Sequence, residues 1–184
     1  MTSPRILAGA WKGRKLIAPA GLDTRPTNTR ARQAAFDILL HAPWYGAERL
    51  RASAVLDVFA GTGAYGLEAL SRGAASASFL EQAPATIAAL KANIAACKAE
   101  AVARIVAGDA LAPPPGRPHD LVFLDPPYGQ GMVPRALAAL ARAGWLAPAA
   151  RIVAELGPGE TLDLPEIFTQ RAHGKATLMF GRLG

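Results

Sequence analysis

Residues 56–70 read LDVFAGTGAYGLEAL. An apolar run enters Gly61, Gly63 and Gly66 and leaves as a helix. Glycines at that spacing let a backbone turn tightly and approach a ligand closely. The pattern G-x-G-x-x-G marks a nucleotide-binding strand–turn–helix unit, and NAD-binding folds share it. Working outward, strand and helix alternate. SASFLE (76–81) is a strand, and a helix opens at Pro84 and runs through Cys97. VARIVAG (102–108) is a strand, and LAPPPGRP (111–118) is a variable loop, since three prolines in a row forbid regular structure. DLVFLD (120–125) and ARIVAEL (150–156) are strands flanking a helix that begins near Val133. Such repeats predict an α/β fold with a mostly parallel sheet covered on both faces. Two last extended stretches, EIFTQ and KATLMFG, are close enough to pair antiparallel at one edge.

Acids stand at the ends of these strands. Asp57 lies four residues before the first glycine, where a carboxylate can receive an ammonium but would repel a pyrophosphate. Glu81 ends the second strand, where it can grip both ribose hydroxyls. Asp109, beside Gly108, could accept from an adenine amino group. Ligands bind along that rim of a parallel sheet. A cationic amino acid, a ribose and an adenine together describe S-adenosylmethionine. Phe59, Thr62, Gln82 and Ala110 adjoin these positions and complete the expected cofactor contacts. No metal ligands are assigned.

The fourth strand ends in VFLDPPYGQG (122–131). Proline removes a donor and holds the residue before it extended. Asp125, Pro126 and Pro127 therefore form a stiff strut with free acceptors. The Asp125 carboxylate and the Pro126 carbonyl could each accept one N–H of an exocyclic amine, and Tyr128 could stack on its ring. Two acceptors can aim the amine lone pair at a methyl sulfonium and stabilise the charge that develops on nitrogen. Gly129 and Gly131 would let the following loop move.

The net charge is +6, and residues 1–36 carry all of it: seven basic side chains stand against Asp23. Arg5, Trp11, Lys12, Arg14, Lys15, Arg25, Arg30 and Arg32 are the candidate nucleic-acid contacts, with Trp11 able to stack on a base. RILAG and RKLIAP read as a short hairpin. After Pro26, Thr27 or Asn28 can cap a helix near 29–41 that turns Ala31, Ala35, Ile38 and Leu39 inward. APWYGAERLRAS (42–53) reads as a connection and a boundary, giving an extension over 1–50 and a catalytic domain over 51–184. No apolar run reaches the roughly 18 residues of a membrane span. The N-terminus lacks a secretory signal, and the single cysteine, Cys97, points to a reducing cytoplasm.

With these pieces assembled, RILAGAWKGRKLIAP, TRPTNTRARQAAFDIL, the glycine stretch, GDAL and DLVFLDPPYGQG resemble the bacterial 16S rRNA guanine-N2 methyltransferases of the small ribosomal subunit. The resemblance spans nearly the whole chain. It implies a Rossmann-like class I fold with seven strands, S-adenosylmethionine as donor, and a guanine of 16S rRNA in an assembled or partly assembled subunit as acceptor. A monomer is expected. The family usually carries acids flanking the R-x-R of residues 30–32; here Thr29 and Gln33 stand there. The alternatives are a DNA amino methyltransferase acting on adenine N6 or cytosine N4, a protein glutamine methyltransferase, an NAD-dependent oxidoreductase and a non-catalytic RNA-binding module.

Overall fold

The structure, a computed structural model, describes residues 4–19 and 26–184, the side chains of 26–28 excepted. Seven strands form one sheet: β1 (Ala54–Val58), β2 (Ser76–Glu81), β3 (Ala103–Ala107), β4 (His119–Leu124), β5 (Leu146–Leu156), β6 (Glu166–His173) and β7 (Ala176–Arg182). Their order is β3-β2-β1-β4-β5-β7-β6. The first five are parallel. β7 runs antiparallel between β5 and β6, as the tail pattern predicts. The chain order reverses between β1 and β4, so their C-terminal ends flank the crevice where such sheets bind ligands.

Side chains alternate across the sheet. Val55, Leu121, Phe123 and Val153 enter a core shared with helices α1 (Pro26–His41), α2 (Gly46–Ala52), α3 (Ala64–Ser71) and α4 (Pro84–Ala96). Leu56, Val122, Leu124 and Ile152 face α5 (Met132–Arg142) on the other side. Phe123 is almost fully buried, with ring centroids 5.3 Å from Phe36 and 4.9 Å from Tyr65. Burying such a ring contributes about 2 kcal/mol. Cys97 is buried in the same core, as expected of a packing residue.

Three expectations change. Residues 42–53 are more than a connection. They contain α2, whose Leu50 is buried, and Tyr45, whose hydroxyl bonds Ser53 at 2.7 Å. Seven residues are too few to show a helical period. α1 begins at Pro26, which puts Thr27 and Asn28 inside the helix rather than at its cap. Proline suits a first helical position because the N–H it lacks would have no partner there. The predicted hairpin is reduced to a single bridge, Arg5 to Lys15, with Ile6 N donating to Arg14 O and Leu16 N to Pro4 O.

The described N-terminal residues share the core of the sheet, through Ile6, Leu16, Phe36 and Leu39. Buried Glu68 on α3 holds them there. Its carboxylate accepts from Leu7 N at 2.8 Å and Ala8 N at 3.0 Å, and pairs with Arg72 at 2.7 Å. Asn93 on α4 adds a second clamp, accepting from Ile17 N and donating to Ile17 O and to Thr62 O of the glycine loop. Among the described residues, no helix is long and apolar enough to cross a membrane.

Candidate active site

At the C-terminal rim of β1, β2 and β4 lies a cavity of about 780 Å³. Asp57, Phe59, Gly61, Thr62, Glu81, Gln82 and Ala110 line one part of it, and Asp125, Pro126, Pro127 and Tyr128 another. Both predicted groups therefore open onto one space, although Gly63 and Asp109 are not part of its lining. Arg5, Arg30 and Arg32 of the N-terminal segment line it too.

The glycine loop takes the shape its glycines permit. Gly61 and Gly63 have φ of 55° and 81°. A side chain on Gly63 would meet Leu90 at 2.4 Å, and one on Gly66 would meet the Phe79 ring at 2.3 Å. Gly66 thus serves helix-on-sheet packing. Phe59, a non-glycine at φ 61°, carries the backbone strain found at ligand sites.

Each acid has a defined local partner. Asp57 Oδ2 accepts from Gly66 N at 2.8 Å. Burial pushes its carboxyl up to about 7 against that bond and the Arg32 charge. Glu81 Oε2 accepts from Gly61 N at 2.9 Å, and its Oε1 from Gln82 N and Ala83 N. It ties the end of β2 to the glycine loop. Asp109 Oδ1 accepts from Leu111 N, so this carboxylate shapes its own loop while Gly108 and Ala110 on either side line the cavity.

Asp125 stands one step past the last paired rung of β4 and β5, Leu124 with Ala154, and so beside Glu155. Burial, Glu155 and Asp57 push its carboxyl well above the usual range, and Arg32 opposes them. The Tyr128 hydroxyl donates to Glu155 Oε1, while Glu155 Oε2 is buried without a hydrogen bond. Burial pushes the Glu155 carboxyl up, with the Tyr128 bond opposing. Glu160 holds the loop after Tyr128, its Oε1 accepting from Gly129 N and Gly131 N and its Oε2 from Gly157 N. The two glycines predicted to free this loop are clasped here. Gly157 must lack a side chain, since a Cβ there would meet Tyr128 at 2.8 Å.

Sequence reading missed Glu68, Asn93, Glu155 and Glu160. A lone acid or amide between apolar residues gives no signal until the fold supplies its partner.

One candidate RNA contact, Arg32, needs correction. Arg32 is 3% exposed: Nη2 donates to Arg5 O at 2.7 Å and Nε lies 3.7 Å from Glu68. The acid it lacks among its sequence neighbours is supplied by α3. Trp11 is half-buried against the core, with its backbone N–H on Ser71 Oγ. Arg5, Lys12, Arg14, Lys15 and Arg30 are exposed; Arg25 lies outside the described residues.

The family model described as conserved hypothetical protein 95 matches residues 4–182. The chain belongs to this family. It is 40% identical over 153 residues to Ribosomal RNA small subunit methyltransferase D of Escherichia coli strain K12, covering 82% of this chain and 73% of that protein. To the Haemophilus influenzae protein of the same name it is 36% identical over 170 residues, covering 90% and 84%. Among solved structures, the Escherichia coli methyltransferase candidate yhhF superposes with a TM-score of 0.81 at 37% identity over 98% of both chains. The family fold is a Rossmann-like class I methyltransferase, and the strand order above is this chain's version of it.

Proposed function

We propose that this protein transfers the methyl group of S-adenosylmethionine to the exocyclic N2 of a guanine in 16S rRNA, presented by the small ribosomal subunit. One observation carries the reading: the glycine loop and Asp125–Tyr128 open into one cavity with arginines of the basic segment on its wall. The names of the relatives support the substrate class.

The donor set suits this cofactor. Asp57 is a buried carboxyl pushed up to about 7, which a cationic ammonium would relieve. Glu81 accepts three backbone N–H bonds, which leaves a lone pair on Oε2 for a ribose hydroxyl. A cavity near 780 Å³ lies in the upper range for small-molecule sites. Bound here, S-adenosylmethionine supplies a methyl carbon activated by a sulfonium.

The protein's part is alignment. The Asp125 carboxylate and the Pro126 carbonyl accept the two N–H bonds of the amine and aim its lone pair. The same acceptors stabilise the positive charge that grows on nitrogen. Tyr128, with its hydroxyl anchored on Glu155, loses little freedom when a base stacks on it. The base must come from a loop or be flipped to reach this depth.

The test is transfer from labelled donor to unmodified small subunits, naked 16S rRNA and DNA, followed by nucleoside analysis. N2-methylguanosine from the rRNA substrates is expected. N6-methyladenosine, or methyl found on DNA alone, would overturn the reading.

A further inference from the structure

Building on the methyltransferase reading, an ionised Asp125 serves the amine best: both oxygens accept and its charge meets the positive charge that grows on nitrogen, whereas protonation turns one oxygen into a donor. Its surroundings work against ionisation. Phe123 and Val153 lie in the core beneath it, and alternation along β1, β4 and β5 turns Asp57, Asp125 and Glu155 to the same face. Three acids share that rim, Asp57 and Glu155 buried and Asp125 half-buried. Tyr65 on α3 shares that face and stacks on Phe123 at 4.9 Å. A neutral amine brings no charge to offset them.

A cation reaches this wall from α1. Arg32 lines the same cavity as Asp57 and Asp125 and is 3% exposed. Its head is anchored at two points, on Arg5 O at 2.7 Å and near Glu68 at 3.7 Å. Its Nε, buried, makes no hydrogen bond. Glu68 cannot neutralise it fully, because that carboxylate also serves Arg72, Leu7 N and Ala8 N. A buried guanidinium so placed costs desolvation unless nearby carboxylates offset it. Phe36, one turn past Arg32 on α1, lies 5.3 Å from Phe123, and Asp125 follows Phe123 by two residues on the same face of β4, so Arg32 and the acids meet in one cavity and act on each other.

We propose that Arg32 is a positioning residue of the methyl-transfer site: it holds Asp125 in the charged, amine-accepting form. It does this from a segment that also presents Arg5 and Arg30 to the cavity, so the substrate-facing surface and the catalytic carboxylate share one anchor.

The groups acting on Asp125 are Glu155 on β5, Asp57 on β1 and Arg32 on α1, with Tyr65 of α3 beside them. The first two raise its pKa and Arg32 lowers it. Without the Arg32 charge, ionisation moves to higher pH, and activity that needs the carboxylate falls away sooner on the acid side.

The experiment pairs two readouts. Single-turnover methyl transfer is followed across pH at saturating donor and RNA for wild type, R32M, R32K and R30A. The Asp125 carboxyl is also titrated by carbon NMR in wild type and R32M. R32M should shift the acid limb and the NMR midpoint upward together, relative to wild type. R32K, which keeps the charge, should stay near wild type. R30A should weaken RNA binding and leave the midpoint in place. If R32M does not fold, R32Q replaces it, since its amide can still donate to Arg5 O. Unchanged midpoints in the uncharged variant, with wild type active, overturn the Arg32 role and leave the methyltransferase reading standing. A wild type that transfers no methyl overturns that reading, and the NMR titration still decides whether Arg32 sets the Asp125 charge.

Discussion

Asp57 carries two tasks at one atom group. Its Oδ2 fixes the start of α3 through Gly66 N, and its charge faces the cavity. Burial places its pKa near 7 in the folded chain, against an ordinary value of 3.8. The folded state therefore binds a proton that the unfolded chain releases between those values. Its stabilising effect is complete below the unfolded value and is lost as pH rises through about 7. Asp57→Asn keeps an acceptor for Gly66 N and removes the charge. Without ligand, this variant should be more stable than wild type at pH 8, by on the order of 4 kcal/mol, and the gap should close toward pH 4. Thermal melts across that pH series measure it. The same variant should lose affinity for a cationic amino-acid ligand, read by calorimetry with S-adenosylmethionine. A second substitution isolates packing. Gly66→Ala drives a methyl into the Phe79 ring, 2.3 Å away, and should cost about 1–3 kcal/mol or more in urea unfolding.

At the scale of elements, Glu68 decides whether the N-terminal segment stays docked. It is fully buried and satisfied by Leu7 N, Ala8 N, Arg72 and Arg32. Removing one partner from such a network leaves buried charge uncompensated, at a cost of about 3–5 kcal/mol. Glu68→Ala should therefore lower the urea midpoint and speed hydrogen exchange at Leu7 and Ala8, while β1 and β4 amides keep their relative order of protection. Uniform loss of protection would instead mean that the segment and sheet unfold as one unit. The sequence shows α3 clearly because its glycines and apolar positions are local signals. It hides the docking role of Glu68: Arg72 is a local pair four residues on, but Leu7 and Ala8 lie about 60 residues away and Arg32 stands on α1. The sheet, its order at the crevice and both halves of the cavity are legible for the same reason: strand ends, glycines and prolines act within a few residues. The hidden elements are α2, too short for a period, and the clasp of Glu160 on Gly129 and Gly131, which joins residues about 30 apart. Arg32 reads as a surface cation until α3 closes over it.

Across the whole molecule, the charge is divided by segment. Residues 37–184 balance their acids and bases, so the excess of +6 sits in the first 36 residues. The fold presents the described part of that excess unevenly. Arg32 is turned inward, while Arg5, Lys12, Arg14, Lys15 and Arg30 stay exposed, and Arg5 and Arg30 reach the cavity wall. A surface of this kind binds phosphates by releasing counterions, so affinity falls steeply with salt. Lys12, Arg14 and Lys15 are exposed and absent from the cavity lining, so their charge can be removed without touching the cavity wall. Replacing these three with alanine should lower the slope of log affinity against log salt by about 2, at roughly 0.7 per phosphate contact on single-stranded RNA. Affinity for S-adenosylmethionine should stay at the wild-type value, because its expected contacts, Asp57, Gly61 and Glu81, lie on strands β1 and β2 and the loop between them. Filter binding to an rRNA fragment over a salt series gives the slope, and calorimetry gives the donor affinity. An unchanged slope would place the RNA on another face of the molecule, and the basic segment would then serve to brace α1 and Arg32 against the sheet.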